Sequence, residues 1–132
     1  MKQTGKTKIK ILISAVAICL LSFLLLIVYI PKFFGYKAFY ITNGSMSPTI
    51  TKGSMVLEKE VGFDEISEGD VITFKNDSGT EYFTHRVISI DKANKMFKTK
   101  GDANEEPDPS ETNYYFAVGK VDFAVPLVGY VL

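Results

Sequence analysis

The stretch that decides the fold is YFTHRVI, residues 82–88. In an extended strand its side chains alternate between two faces, and Phe83, His85 and Val87 share one of them. Beyond Tyr40 the chain shows no sustained helical periodicity, and short runs rich in Val, Ile, Phe and Tyr are separated by Gly, Asn, Asp and Pro. The sequence therefore predicts a small, mostly β domain.

Several strands are predicted in this domain, and two polar clusters are predicted to join neighbouring strands as hairpins. The clusters are NDSG at 76–79 and DKAN at 91–94. Residues 104–113 form a long polar loop. The predicted strands are Ala38–Thr42, Ser54–Glu58, Val71–Phe74, Tyr82–Ile90, Met96–Lys100 and Tyr114–Val125, the last with a break at Gly119.

An apolar run precedes the β domain. Residues Ile11–Ile30 carry no charge, and a helix of about 20 residues crosses a hydrocarbon core of about 30 Å. A cleaved signal peptide is the alternative, but its apolar stretch is about 7 to 15 residues and ends at small residues, whereas bulky aromatic residues follow here. We therefore expect a retained single transmembrane helix at 11–30.

The charges predict the orientation of the chain and exclude one class of partner. Residues 1–32 contain five lysines and no acidic residue, so of the 15 basic and 15 acidic residues the remainder holds 10 basic and 15 acidic. The positive-inside rule predicts a cytoplasmic N-terminus at 1–10 and an extracytoplasmic domain at 31–132. An acidic domain argues against nucleic acid as a partner. The one cysteine, Cys19, lies inside the apolar run and excludes an intramolecular disulfide.

Ser45 is the candidate nucleophile. It follows Gly44, which lets a carbonyl group approach the backbone closely, and Met46 and Pro48 after it are expected to stiffen the turn. A turn before a strand leaves backbone N–H groups available to stabilise an oxyanion. The alternative is that the segment is only a turn.

His85 is the candidate base, because a serine hydroxyl is a poor nucleophile until a nearby base accepts its proton. Its position on a face with Phe83 and Val87 predicts partial shelter from solvent. A core histidine without a function remains the alternative. A metal site is poorly supported, because the chain has no second histidine and only the intramembrane Cys19 as a further soft ligand.

The acidic segment KGDANEEPD, residues 100–108, supplies candidate carboxylates to orient the histidine. Asp102, after a glycine, and Asp108, between two prolines, are the most conformationally fixed of the four. Asp102, Asn104 and Glu106 also have the alternate spacing of a calcium loop, but Pro107 stands where an EF-hand requires glycine. A solvated loop without a function is the third interpretation.

With these residues in view, the chain resembles the type I signal peptidases, and among them the endoplasmic-reticulum-type branch with a Ser-His-Asp site. The mainstream bacterial branch has lysine at the position of His85. The resemblance covers nearly the whole chain. Four motifs carry it: GSMSPT at 44–49, GDVI at 69–72, THRV at 84–87, and TKGD at 99–102 with Asp108.

The resemblance implies a membrane-bound serine endopeptidase that removes signal peptides from precursor proteins and uses no metal or organic cofactor. It implies Ser45 as nucleophile, His85 as base, Asp108 as the triad acid and Asp102 as a second aspartate. The implied partners are signal-peptide-bearing precursors and the lipid bilayer, with accessory subunits unidentified. The implied location is the cell membrane of a Gram-positive bacterium, in preference to an archaeal membrane or the endoplasmic reticulum.

The chain departs from the family pattern in two places. The family box has serine two residues before the nucleophile, where this chain has Asn43, whose side-chain amide we expect to act with Gly44 and Ser45 in holding the oxyanion. The apolar segment 121–132 stops where many relatives continue, which indicates a short member or a truncated chain.

Two other functions remain open at this point. One is a non-catalytic membrane-anchored β domain that binds an extracellular partner. The other is a self-processing or regulatory protease of the serine-lysine group, which His85 at the base position disfavours. A Ser45 hydroxyl within hydrogen-bond range of the His85 ring favours an enzyme, whereas a separation beyond about 6 Å favours the binding domain.

Overall fold

The computed structural model describes residues 3–126, with side chains from residue 5 onward. The chain divides into two compact units after Gly35. The first unit is helix α1, Gln3–Phe33, which extends beyond the predicted segment at both ends. Its part from Gly5 to Phe33 is long and apolar enough to cross a membrane, judged by length and composition. Gly35, with φ of 83°, ends the helix, and its N–H donates to the Lys32 carbonyl at 3.1 Å.

The second unit is a seven-stranded sheet in which every neighbouring pair is antiparallel, which confirms the mostly β prediction. The spatial order is β1-β2-β7-β3-β4-β5-β6, so β7, the last strand along residues 3–126, lies between β2 and β3. The strands are β1 Tyr36–Tyr40, β2 Met55–Lys59, β3 Val71–Lys75, β4 Tyr82–Asp91, β5 Met96–Lys100, β6 Thr112–Asn113 and β7 Ala117–Val125.

Both predicted hairpins are confirmed. Asn76 closes the β3–β4 turn, because its side-chain carbonyl accepts from the Thr80 N–H at 2.9 Å and its backbone carbonyl accepts from Gly79. Asp91 closes the β4–β5 turn in the same manner and accepts from the N–H groups of Ala93 and Asn94. These turns place β3, β4 and β5 side by side.

The predicted strand over Tyr114–Val125 is confirmed from Ala117 onward as β7, but its predicted start and its predicted break at Gly119 are wrong. Its start is a 3-10 turn, Tyr114–Phe116, which the Asn113 side chain caps by accepting from the Tyr115 N–H at 3.0 Å. β7 then runs continuously through Gly119, where a Cβ would lie 3.0 Å from the Lys59 carbonyl oxygen. The glycine therefore permits close packing of β7 on β2.

Apolar side chains pack on both faces of β3, as its fully buried strand pattern requires. Val71 contributes to a cluster with Ile41, Met46, Ile50 and Val56. Residues of the opposite face form a second cluster: Phe63, Ile66, Ile72, Phe74, Val87 and Phe97.

One acidic side chain interrupts the buried surface of β2. Glu58 is fully buried, and among the residues that the structure describes neither of its carboxylate oxygens has a hydrogen-bond partner. Burial raises the pKa of this carboxyl above its ordinary value, which the nearby Thr73 hydroxyl and the Lys37 charge oppose. Glu58 is thus a buried polar group whose desolvation is poorly compensated.

Candidate active site

Ser45 lies in the loop between β1 and β2, in a turn that confirms the sequence-based expectation. The Ser47 N–H donates to the Gly44 carbonyl at 3.0 Å, and the Ile50 N–H donates to the Met46 carbonyl at 2.9 Å. Met46 is only 1% exposed and anchors this loop in the core. The nucleophile candidate is therefore attached to a fixed backbone while its side chain remains partly accessible.

His85 lies in the middle of β4 and pairs with Ile72 on β3. It is 7% exposed, and its ring lies 6.1 Å from the Phe74 ring and 6.2 Å from the Phe83 ring, centroid to centroid. The predicted shelter of this histidine is confirmed. Two packed strands and two aromatic neighbours restrict the orientation of the imidazole.

Asp108 lies in the loop between β5 and β6. Its backbone N–H donates to the Thr99 carbonyl at 2.9 Å, which fastens the loop to β5. Its Oδ2 accepts hydrogen bonds of 2.6 Å from both His85 Nδ1 and Thr99 Oγ1. Two short bonds on one oxygen hold the carboxylate against the imidazole.

The same imidazole reaches Ser45 with its other nitrogen, since His85 Nε2 lies 3.2 Å from Ser45 Oγ. A carboxylate only accepts hydrogen bonds, so Nδ1 carries a proton toward Asp108, and Nε2 of the neutral ring is free to accept. Residues separated by 40 and 23 positions along the chain thus form one line of hydrogen bonds. This order of side chains is the arrangement by which serine hydrolases activate a hydroxyl group.

Asp102 does not join this line, although it lies in the same loop as Asp108. Its carboxylate forms a two-point ion pair with Arg86, with Nε–Oδ1 at 2.8 Å and Nη2–Oδ2 at 2.6 Å, and Arg86 Nη1 also donates to the Gly69 carbonyl at 2.7 Å. The Arg86 guanidinium holds the pKa of the Asp102 carboxyl below its usual value, and burial opposes this shift. The structure therefore gives this candidate carboxylate a guanidinium partner and not the His85 imidazole.

This ion pair also bears on the calcium-loop interpretation. Both Asp102 oxygens already contact Arg86, so the proposed first ligand of such a loop faces a positive side chain. A cation would have to compete with that charge.

Asn43 contacts the nucleophile with a different group from the one expected. Its Oδ1 accepts from the Ser45 hydroxyl at 2.8 Å and from the Ser45 N–H at 3.2 Å. The side chain presents its carbonyl oxygen, where we had expected its amide to serve as an oxyanion donor.

Gly101 brings the serine loop and the acidic loop into contact. The Ala103 N–H donates to the Ser45 carbonyl at 2.8 Å, and a Cβ on Gly101 would lie 2.7 Å from that same carbonyl oxygen. Only glycine allows this approach without displacement of one loop.

A cavity of about 270 Å³ opens beside His85 and Asp108. Phe74, Phe83 and Phe116 contribute to its wall. The side of the imidazole that faces this cavity is therefore in a mainly apolar environment.

Two residues of the site had no predicted role. Thr99, which is fully buried, donates to Asp108, and Arg86 pairs with Asp102. Both lie inside motifs that the sequence singled out, at 99–102 and 84–87, but strand alternation only placed Arg86 on the face opposite His85. Their partners become visible only when β4, β5 and the acidic loop are assembled.

The chain belongs to the signal peptidase family of S26 peptidases, whose family model, "Signal peptidase, peptidase S26", matches residues 12–92. The matched part includes most of the apolar helix, Ser45 and His85, and it ends before Asp102 and Asp108. The structure shows a mostly β domain after an apolar N-terminal helix, as the sequence predicted.

Three relatives illustrate the range of the family. Signal peptidase I W of Bacillus subtilis is 43% identical over 81 residues, which are 59% of this chain and 42% of that protein. A Staphylococcus aureus protein named inactive signal peptidase IA is 32% identical over 76 residues, 56% of this chain and 42% of that protein. The signal peptidase complex catalytic subunit SEC11C of the dog is 32% identical over 71 residues, 52% of this chain and 37% of that protein. The chain thus matches less than half the length of each of these relatives.

Proposed function

We propose that this protein is a membrane-bound serine endopeptidase that removes signal peptides by a Ser-His-Asp mechanism, as in the endoplasmic-reticulum-type branch of its family. The observation that carries the proposal is the hydrogen-bonded line from Ser45 Oγ through His85 to Asp108 Oδ2. The separation of 3.2 Å between Ser45 and His85 is in the range that favours an enzyme over a binding domain.

The proposed mechanism follows from the positions of the protons. Ser45 attacks the scissile carbonyl while His85 Nε2 accepts its proton and then delivers it to the leaving amine. Asp108 stabilises the charged imidazole through the 2.6 Å bond to Nδ1. The Ser45 N–H stabilises the oxyanion. In deacylation His85 acts as base toward water.

The proposed substrates are precursors with small residues at the first and third positions before the cut, a preference taken from the family. The lipid bilayer is the proposed second partner. We assign residues 1–10 to the cytoplasm, 11–30 to the membrane and 31–132 to the extracytoplasmic side. The cell membrane of a Gram-positive bacterium is the proposed location, consistent with a Bacillus subtilis relative at 43% identity.

The direct test is cleavage of a signal-peptide-bearing precursor by the full chain in detergent. Ser45→Ala, His85→Ala and the double variant are each expected to lose at least about 10³-fold in activity, and the double variant is expected to be little worse than either single one, because the two residues act as a unit. His85→Lys is also expected to be inactive, since a lysine must lower its pKa from about 10.4 to act as a base. Substantial cleavage by Ser45→Ala would refute the assignment.

The proposed orientation of the chain in the membrane is tested separately. Replacing the basic residues before the apolar run by glutamate is expected to place part of the population with its domain in the cytoplasm. Protease protection in right-side-out vesicles measures that fraction. A wild-type domain found in the cytoplasm would contradict the proposed function. The residues to replace are Lys2, Lys6, Lys8 and Lys10.

A second candidate function is a non-catalytic, membrane-anchored member of the family. The observation that favours it is the Staphylococcus aureus relative that is named inactive. The two candidates differ in the cleavage assay, because a non-catalytic member leaves the precursor intact with wild-type protein and Ser45→Ala alike. Retained binding of the precursor in both samples would then identify the second candidate.

A further inference from the structure

Both hydrogen-bond donors of Ser45 are directed at one atom of Asn43. The hydroxyl of Ser45 donates to Asn43 Oδ1 at 2.8 Å, and its backbone N–H donates to the same oxygen at 3.2 Å. A carbonyl oxygen has two lone pairs and accepts both. The proposed mechanism needs both donors elsewhere: the hydroxyl gives its proton to His85, and the backbone N–H stabilises the oxyanion.

The orientation of the Asn43 amide follows from the donors around it. The Ser45 backbone nitrogen can only donate, so the Asn43 atom that faces it must be the oxygen. The hydroxyl of Ser45 has a single proton, for which Asn43 Oδ1 at 2.8 Å and His85 Nε2 at 3.2 Å compete. The shorter contact is the one to Asn43, so Asn43 draws the proton from the contact with the base.

We propose that Asn43 restrains the nucleophile in the resting protein and that substrate releases it. Asn43 is a positioning residue in this account, because it acts on the substrate through Ser45. Its side chain is exposed, so it is able to turn into solvent, while Met46, at 1% exposure, keeps the loop in place. The inference deepens the proposed function and depends on it.

The scissile carbonyl is the group that releases Ser45. Its oxygen is an acceptor, like Asn43 Oδ1, and takes the Ser45 N–H as a donor when it enters the oxyanion position. Asn43 then loses its bond from the Ser45 N–H and turns into solvent, which breaks its bond from the Ser45 hydroxyl as well. The hydroxyl proton is then left to His85 Nε2. Binding exchanges one acceptor for another and therefore leaves no buried donor unpaired.

Two variants of Asn43 test the restraint in opposite directions. Asn43→Ala removes the acceptor and is expected to raise kcat/KM for precursor cleavage by about 2- to 10-fold, the factor that one neutral hydrogen bond is worth. Asn43→Asp keeps the acceptor, gives it a charge and removes the amide donor, so it is expected to lower kcat/KM by about 10-fold. Ser45→Ala measured alongside shows that the cleavage counted depends on Ser45.

Thermal unfolding of the same samples separates restraint from a structural role. A structural role of the Asn43 turn predicts that both variants are slower and unfold at lower temperature, a result that would overturn the proposal. A slower Asn43→Ala with an unchanged unfolding temperature would overturn it as well, because it would make Asn43 a donor in the transition state. Equal kcat/KM values for wild type, Asn43→Ala and Asn43→Asp would also overturn the proposal.

The outcomes also separate this inference from the proposed function. Ser45-dependent cleavage by wild type without acceleration in Asn43→Ala refutes the restraint alone. A silent wild type beside an active Asn43→Ala supports the restraint, since it shows a nucleophile held in its resting state. Absence of cleavage in both refutes the restraint and the proposed function together.

Discussion

Asp108→Asn is the substitution that examines the proposed triad most closely. The Oδ2 atom of Asp108 accepts two hydrogen bonds of 2.6 Å, from His85 Nδ1 and from Thr99 Oγ1. An amide at this position keeps the shape but not the charge. If its NH₂ group faces His85, Nδ1 must accept, and the proton moves to Nε2, where it prevents the ring from acting as a base.

The expected magnitude follows from these two effects. A bond to a charged group contributes about 1.5 to 3 kcal/mol and a neutral bond about 0.5 to 1.5 kcal/mol, so the lost charge alone explains roughly a tenfold effect. The change of tautomer adds the larger part, and the corresponding substitution in a Ser-His-Asp protease lowers kcat by about 10⁴-fold. We therefore expect Asp108→Asn to lower kcat by about 10³- to 10⁴-fold, or about 4 to 5.5 kcal/mol of activation free energy.

The assay is single-turnover cleavage of a precursor, with thermal unfolding of the same protein. Thr99→Val is the matched control, because it removes the other bond to Oδ2 and leaves His85 paired; its cost is expected to be about tenfold. A folded Asp108→Asn with kcat within tenfold of wild type would refute the role of Asp108. A folded but inactive Asp102→Asn beside it would transfer that role to Asp102.

Three further predictions concern stability and the contact between the loops. Asp102→Asn is expected to lower the free energy of unfolding at pH 7 by about 1 to 3 kcal/mol, because it leaves Arg86 without its carboxylate. The folded-state pKa of Asp102 is lowered from 3.8, so the stability that this carboxylate contributes is present above that value and is lost as pH falls through the folded pKa. Urea unfolding at pH 3 to 7 should therefore show the difference in stability between variant and wild type closing in acid. Glu58→Leu is expected to raise the free energy of unfolding at pH 7 by about 1 to 3 kcal/mol. The folded-state pKa of Glu58 is raised, so the wild type is most stable below pH 4.5 and loses stability as pH rises toward the folded pKa. A stability gain that does not depend on pH would contradict this explanation, and Glu58→Gln is the control for side-chain shape. Gly101→Ala is expected to lower kcat by up to about 10²-fold, because its Cβ would lie 2.7 Å from the Ser45 carbonyl oxygen and displace the serine loop; unchanged precursor cleavage would show that the contact is not needed.

Local patterns predicted the strands that lie next to each other along the chain. The clusters at 76–79 and 91–94 specify their own turns through side-chain hydrogen bonds, so β3, β4 and β5 could be placed in order from the sequence. The position of β7 between β2 and β3 depends on pairings between distant segments, which no local pattern encodes. The two-residue strand Thr112–Asn113 was missed for the same reason.

The candidate site also has some residues that local sequence patterns predict and others whose roles depend on distant segments. Ser45 and His85 are recognisable because a glycine-led turn and a sheltered histidine are local features, and the acidic loop is recognisable by its composition. The choice between Asp102 and Asp108 is not local, since the two aspartates lie in one loop and differ only in what faces them, Arg86 in one case and His85 in the other. The orientation of the Asn43 side-chain carbonyl likewise depends on a neighbouring donor, the Ser45 N–H, whose position is known only from the folded structure.

The position of β7 between β2 and β3 determines when the proposed activity arises during synthesis. Ser45 belongs to the β1–β2 side of the sheet, whereas His85 and Asp108 belong to the side built from β3, β4 and β5, and β7 lies between the two. A nascent chain that has emerged only as far as Phe116 contains every proposed catalytic residue, but its two half-sheets have no shared strand to align them. We expect such a chain to be inactive, a result that stalled or C-terminally shortened chains can establish. The proposed proteolytic activity would then appear only once β7 has joined the sheet, and a chain without β7 would not cleave its surroundings.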